Sequence, residues 1–217
     1  MEANGQNLRE VAEPQIQGPY DMLYSASGLL WPDKPGRMVR LASEIHSAGN
    51  GLDLGCGDGK NLVYLENRGW KIDGIDISNI AIKGAWKRIR LSELKFKGRL
   101  RCEDVTKARF EREAYDLIIA YGLYHCLPSD QLWQTHKQLS GLARRGGLLA
   151  FATLDDGLPI PQNHFTGQLY LRSREFILST MSDWEPIIIE YGLIKEAHPP
   201  LVPRHKHSVT WGLLAKR

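Results

Sequence analysis

The sequence predicts an α/β fold built on a doubly wound, seven-stranded, mostly parallel sheet with an antiparallel last strand. Three observations carry this. Five short apolar runs, each bounded by Gly, Asp or charged residues, alternate with segments of helical spacing. A glycine-rich turn joins the first run to a helix. A stretch holding Pro199, Pro200 and Pro203 leaves no room for a crossover helix between the last two apolar runs. Size and composition agree with one domain. At roughly 150 residues per domain, 217 residues make one unit rather than two. Folding at this size buries roughly 70% of the unfolded surface, so neither disulfides nor a structural metal is needed. A hydrophobic share of 42% with 24% charged residues excludes a disordered or collagen-like chain.

The elements follow in order. From Tyr20 to Pro35 aromatics mix with Gly and Pro, which suits a short helix and an irregular cover more than a core strand. Gly51 to Leu54, Trp70 to Ile75, Leu100 to Glu103, Leu117 to Tyr121 and Leu148 to Thr153 read as buried strands. Ile82, Ala85, Trp86 and Ile89 share one helical face, as do Leu132, His136, Leu139 and Ala143. The second of these helices is expected to end in Arg144-Arg145-Gly146-Gly147, a basic last turn with a left-handed cap. Ile187 to Ile189 and Val209 to Leu214 then form antiparallel neighbours at one edge, joined by a long connection.

Partners and compartment are bounded by what is missing. No apolar run approaches the roughly 18 residues of a membrane span. The opening MEANGQNLRE has no secretory apolar stretch, and Cys56, Cys102 and Cys126 show no paired spacing. A cytoplasmic chain with no membrane partner is the expectation. The net charge of +3 does not demand a polyanion. Lys83, Lys87, Arg88, Arg90, Lys95, Lys97, Arg99 and Arg101 suit a solvated face beside an edge strand better than an RNA contact.

The chemistry concentrates at the first turn. Asp53-Leu54-Gly55-Cys56-Gly57-Asp58-Gly59-Lys60-Asn61 links strand to helix where open α/β sheets bind ligands. Glycine lets backbone approach a ligand, and free amides at a helix start favour an anion; tight packing alone is the other reading. Asp76 closes the second strand about 20 residues on, where a carboxylate can accept both hydroxyls of a ribose. Lys60 stands where a dinucleotide fingerprint needs its third glycine, so a nicotinamide cofactor is not expected.

These residues resemble the motifs of class I S-adenosylmethionine-dependent methyltransferases. Asp53 to Gly59 is similar to their first motif and Gly74-Ile75-Asp76-Ile77-Ser78 to their second. Asp104-Val105, Tyr115 to Ile119 and Gly146 to Leu149 extend the likeness over most of the chain from about residue 36. The resemblance implies a Rossmann-like methyltransferase fold with S-adenosylmethionine as cofactor and S-adenosylhomocysteine as product. It places the methionine part at the loop glycines Gly55 and Gly57, the ribose at Asp76, and the adenine at Asp104 with the Val105 amide, and it counts Asp53, Cys56, Asp58, Asn61 and Ile77 among the cofactor-binding residues. Backbone near Tyr121 would meet the methionyl amine. Asn61 to Leu65, Arg68-Gly69 and the closing Trp211 to Arg217 look like the tellurite-resistance methyltransferases. Their acceptor-linked His-Arg pair is absent, since His198 precedes Pro199 and the nearest arginine is Arg204.

Three further groups have two readings each. Tyr20 and Tyr24 share a helical face with Trp31 following; they form a lid over the sulfonium or merely cap the core. Residues 1–35 are therefore taken as a cover segment and 36–217 as the methyltransferase domain. His125, leaving the fourth strand, is a general base, a hydrogen-bonding group in the acceptor pocket, or a packed ring. His198, Arg204, His205 and His207 make an acceptor-facing base and anion clamp, a metal site, or plain surface. The expected assignment is His125, His198, Arg204 and His207 as catalytic, with no metal. Asp155-Asp156 lacks the acidic partner of magnesium-dependent relatives. The predicted function is methyl transfer to an O, N or S nucleophile of a small molecule, such as a natural product or an oxyanion. The alternatives are RNA or protein methylation, or a cofactor-binding module without catalysis.

Overall fold

The computed structural model describes residues 19–161, 164, 169–198 and 202–217. Seven strands form one sheet: β1 (Asn50–Leu54), β2 (Lys71–Asp76), β3 (Leu100–Cys102), β4 (Tyr115–Tyr121), β5 (Ala143–Leu154), β6 (Trp184–His198) and β7 (Val202–Lys216). Their order is β3-β2-β1-β4-β5-β7-β6, and only β7 runs antiparallel to its neighbours. The order reverses beside β1, the point at which open sheets hold ligands beyond their strand ends.

Helices cover both faces, which is why the strands read as continuous apolar runs. Ile118 and Ala120 of β4 and Leu149 and Phe151 of β5 pack on one face with Leu132 and Leu139 of α5 (Ser129–Leu142) and Ile177 of α6 (Arg174–Ser179). The alternate residues Leu117, Ile119, Leu148 and Ala150 pack on the other face. There they meet Met38, Val39 and Ala42 of α2 (Arg37–Ile45), Leu62 and Leu65 of α3 (Lys60–Glu66), and Ile82 of α4 (Asn79–Leu91). The sequence reading had no place for α2, although positions 38, 39 and 42 form a helical stripe. Gly212 lets the Phe151 ring lie against β7, because a Cβ there would sit 2.1 Å from the ring.

Two sequence expectations are corrected. The fifth helix ends at Leu142, and Ala143 is already extended with φ −72° and ψ 139°, so Arg144 to Gly147 open β5 rather than close a helix. Gly146 does take a positive φ of 75°, but within the strand, and Arg144 pairs with Asp116 at 2.9 Å. The connection between the last strands is also not a long loop. Pairing continues from Leu193 opposite Ser208, through Glu196 opposite His205, to His198 opposite Val202. β5 ends its pairing at Leu154 opposite Val209, so the hairpin runs on past it, on the side where the parallel strands end. The expected antiparallel edge pair is thus present and longer than read. Among the described residues no helix is long and apolar enough to cross a membrane.

Candidate active site

The loop after β1 depends on left-handed backbone at Gly55, Gly57 and Gly59, with φ of 67°, 55° and 80°. Gly55 N and Cys56 N donate to Ile75 O at 2.8 and 3.0 Å, which ties the loop to the end of β2. Asp76 accepts from Gly57 N through one oxygen and from Ser78 N through the other, both at 2.9 Å. Burial nevertheless raises the Asp76 carboxyl above the ordinary range, against those two bonds. Asp53 is fully buried and neither carboxylate oxygen makes a hydrogen bond of standard geometry. Burial pushes it up to about 7; the Asn61 side chain and the Lys60 ammonium offset part of this. Asn61 is itself fixed by accepting from Gly36 N at 2.9 Å.

Helix α1 (Pro19–Ser27) spans the cleft between the β1 and β4 loops. Tyr20 and Tyr24, one turn apart, reach the turn after β4 and the glycine loop respectively. A Cβ on Gly57 would stand 2.7 Å from Tyr24 Oη and 3.3 Å from Trp31 Nε1, and Trp31 Nε1 lies 3.3 Å from Tyr24 Oη. Cys126 Sγ lies 3.7 Å from Tyr20 Oη at the other side. Lys60 Nζ stacks 5.2 Å from the Trp31 ring, a contact the sequence reading missed because Lys60 occupies a glycine's place.

Arg88 departs from its expected solvated role. It is buried on α4, where it donates to Asp58 O at 2.9 Å and Trp31 O at 2.6 Å, pairs with Asp58 at 3.0 Å, and binds Asp33. Asp58 completes the link by accepting from Trp31 N at 2.9 Å. Ser78 caps α4 by accepting from Ala81 N at 3.0 Å and donates to Asp21 of α1. The cover is therefore latched to α4 and to the glycine loop. Lys83, Lys87, Arg90, Lys95, Lys97 and Arg99 are exposed as expected.

On the far side of Asp76, Ile77 is 67% exposed and Val105 is buried, leaving an apolar lip beside the strand ends. Asp104 closes its own turn, accepting from Thr106 N and Oγ1 at 2.9 and 2.7 Å, with Lys107 at 3.4 Å. Partial burial would raise its carboxyl, but these partners outweigh that and hold it below the ordinary range.

Beyond β4, Tyr121 Oη accepts from Met38 N at 2.9 Å, which fixes the start of α2. His125 lies in a short 3-10 turn, Tyr124–Cys126, and is buried. Its Nδ1 accepts from Leu154 N at 3.2 Å and lies 3.3 Å from Thr153 Oγ1, so the neutral ring carries its proton on Nε2. Burial lowers its pKa to about 4. Tyr170 N donates to His125 O at 2.8 Å, and Arg172 donates to Tyr124 O and Leu127 O, so the segment after β5 roofs this turn. The sequence reading did not use that segment.

His205 and His207 share one face of β7, the second of them buried, while Arg204 and Lys206 alternate onto the exposed face. Arg204 is thus separated by strand periodicity from the histidines with which it was grouped. His198 ends β6 opposite Val202, and its side chain lies outside the described residues. His164, not singled out from sequence, joins His205 and His207. Asp155 accepts from Gly157 N at 3.0 Å and Thr210 Oγ1 at 2.7 Å and pairs with Arg174 at 3.2 Å, so its oxygens serve the fold.

Residues 52–147 match the family described as Methyltransferase domain. A Mycobacterium tuberculosis protein named Putative methyltransferase Rv1506c is 38% identical over 103 residues, covering 43% of this chain and 57% of that relative. The chain therefore spans a little over half the length of the curated relative it matches. TehB from Haemophilus influenzae is similar with a TM-score of 0.70 at 21% identity, over 82% of this chain and 61% of that one. Geranyl diphosphate C-methyltransferase from Streptomyces coelicolor A3(2), solved with Mg2+, geranyl-S-thiolodiphosphate and S-adenosyl-L-homocysteine, gives 0.62 at 16% identity, over 82% and 75%. At these identities the structural likeness is one of fold.

Proposed function

We propose that this chain is a class I S-adenosylmethionine-dependent methyltransferase and moves a methyl group from S-adenosylmethionine to a small-molecule acceptor, a reading that its methyltransferase-domain match and its sheet order support. One observation carries the reading: at the point where strand order reverses, Asp76 is joined to the Gly57 amide beside a buried Asp53 that makes no hydrogen bond of standard geometry. A buried carboxylate left so is costly unless a ligand completes it, and a cationic ligand would. The site residues fit the cofactor on that ground. When bound, the cofactor supplies an electrophilic methyl group open to in-line displacement.

The chain's own residues divide the remaining work. Asp53 and the glycine loop take the charged methionine end, Asp76 accepts the ribose hydroxyls, and Ile77, Asp104 and Val105 border the base. Tyr20, Tyr24 and Trp31 exclude water, which strengthens every electrostatic contact beneath them. His125 presents an Nε2 donor toward the acceptor side and orients rather than deprotonates. In the metal-free chain His207 is the base candidate on that side, since a neutral imidazole can accept a proton near physiological pH.

Two placements support a small acceptor. The β4 turn that holds His125 is roofed by hydrogen bonds from Tyr170 and Arg172, which covers the end of β4 where an acceptor would enter. The basic run of Lys83, Lys87, Arg90, Lys95, Lys97 and Arg99 lies exposed on α4 and toward β3, at the opposite edge of the sheet. Incubation with methyl-labelled cofactor and fractionated cell extract tests this. Label in a low-mass product is expected. Label in RNA or protein would overturn the acceptor class, and cofactor binding without any labelled product would overturn catalysis.

A further inference from the structure

We propose that His164, His205 and His207 form a binding site for one zinc-class divalent cation on the acceptor side of the pocket, with the Glu196 carboxylate beside it and one coordination position left open. One nitrogen from each ring lies within 4.8 Å of those of the other two. The ring centroids stand 5.1, 5.1 and 4.6 Å apart, with planes between 82° and 89° to one another. Rings so placed can each turn one nitrogen toward a common centre, as ligands around one ion do. Glu196 Oε2 lies 3.6 Å from His207 Nε2 and puts a negative charge beside the three neutral rings, which favours a cation there.

The fold explains the convergence. Glu196 stands opposite His205 across the β6 and β7 pairing, and His207 follows two residues on along the same face. His164 arrives from the segment after β5, where His164 N donates to Pro161 O at 2.9 Å. Zinc bonded to nitrogen at about 2.0–2.1 Å sets its ligands roughly 3.3 Å apart, so the rings need close by no more than about 1.5 Å. Imidazoles select zinc, iron, copper or nickel over magnesium or calcium. The sequence expectation was no metal, with a metal site at these histidines as a lesser reading that residue spacing does not decide; the missing acidic partner concerned magnesium alone.

The place gives the site its use. Glu196 is near enough to act on both Tyr20 of α1 and His125, and His125 also feels His164 and His207. Given the methyl transfer proposed above, a cation here would hold an acceptor hydroxyl or thiol and favour its deprotonated form. The acceptor class is then a metal-chelating hydroxy or thiol compound.

The test is titration of the metal-free full chain with Zn2+ against a chromophoric competing chelator, with Co2+ absorption in the visible as a second readout. One Zn2+ per chain is expected. Since outer-shell partners alone carry about 10–100-fold in affinity, His205→Ala and His164→Ala should each weaken Zn2+ more than about tenfold. Both variants should keep S-adenosylhomocysteine affinity, which shows that they fold. His205 is partly exposed, so its removal disturbs less than that of buried His207. No Zn2+ uptake, or equal uptake by wild type and both variants, overturns the site. Zn2+ uptake lost in the variants, in a chain that binds no S-adenosylhomocysteine, leaves the metal site standing and overturns the methyl-transfer reading alone.

Discussion

At the scale of single residues, Asp53 and His125 sit in opposite electrostatic situations that experiment can separate. With its carboxyl pushed up to about 7, Asp53 is close to half protonated in the free protein at neutral pH. A cationic methionyl group beside it favours the carboxylate. S-adenosylhomocysteine affinity should therefore rise with pH through 7 and release up to one proton on binding. Asp53→Asn should flatten that dependence. Calorimetry in two buffers of different ionisation heat counts the proton; none released by the wild type would remove Asp53 from the cofactor. For His125, a ring with its Nδ1 held by Leu154 N and its pKa near 4 is a donor. His125→Gln should keep more turnover than His125→Ala, and neither should move the acid limb of the rate profile. A shifted limb would make His125 the base after all. Asp53 at the end of the first strand and His125 beyond the fourth were candidates by position, but their protonation was not legible in the sequence. That follows from burial and from which backbone amide lies within reach, and neither is written in spacing.

At the scale of elements, the cover and the hairpin show what local pattern carries. The four-residue separation of Tyr20 and Tyr24 sufficed to place both on one face of α1. The latch was hidden because Arg88 stands among basic residues whose bland reading is a solvated face, and only the three-dimensional meeting with Asp58 and Trp31 distinguishes it. Removing one partner of a buried ion pair leaves the other uncompensated, so Arg88→Met should destabilise the chain by about 3–5 kcal/mol. Adding Asp58→Asn should return part of that loss. Denaturant melts of the two variants check it, and an Arg88→Met loss below about 1 kcal/mol would contradict the latch. Hydrogen exchange over residues 19–33 should quicken in Arg88→Met before the core strands do. The hairpin was read too short for a similar reason. Its outer residues, Leu193 to Glu196 and Arg204 to Ser208, mix charge with apolar side chains because no sheet neighbour covers them beyond Leu154. Their strand character comes from pairing with each other.

At the scale of the whole molecule, most of the topology was legible, because alternating apolar runs and helical stripes, with no crossover before β7, admit few arrangements. Acid stability is a property of the whole chain too. His125 and His136 are buried neutral, with pKa values lowered by burial to about 4 and about 3. The unfolded chain binds protons at these rings as pH falls below their ordinary 6.5 while the folded chain does not. Each ring therefore costs about 1.4 kcal/mol per pH unit between pH 6.5 and about 4, and nothing above pH 6.5. Asp53, raised instead, offsets one ring over much of that window. His136→Leu should accordingly make the wild-type stability curve shallower by about 1.4 kcal/mol per pH unit between pH 6 and 4.5. Parallel curves would show that His136 charges freely in the folded state. The central claim, that the switch point beside β1 holds S-adenosylmethionine, is met most directly by calorimetric titration of S-adenosylhomocysteine onto the wild type and Asp76→Ala. One site per chain is expected, with no heat from NAD. The variant should bind about 1–3 kcal/mol more weakly, because ribose hydroxyls lose a charged acceptor. No binding by the wild type, or equal affinity in the two proteins, would contradict the account.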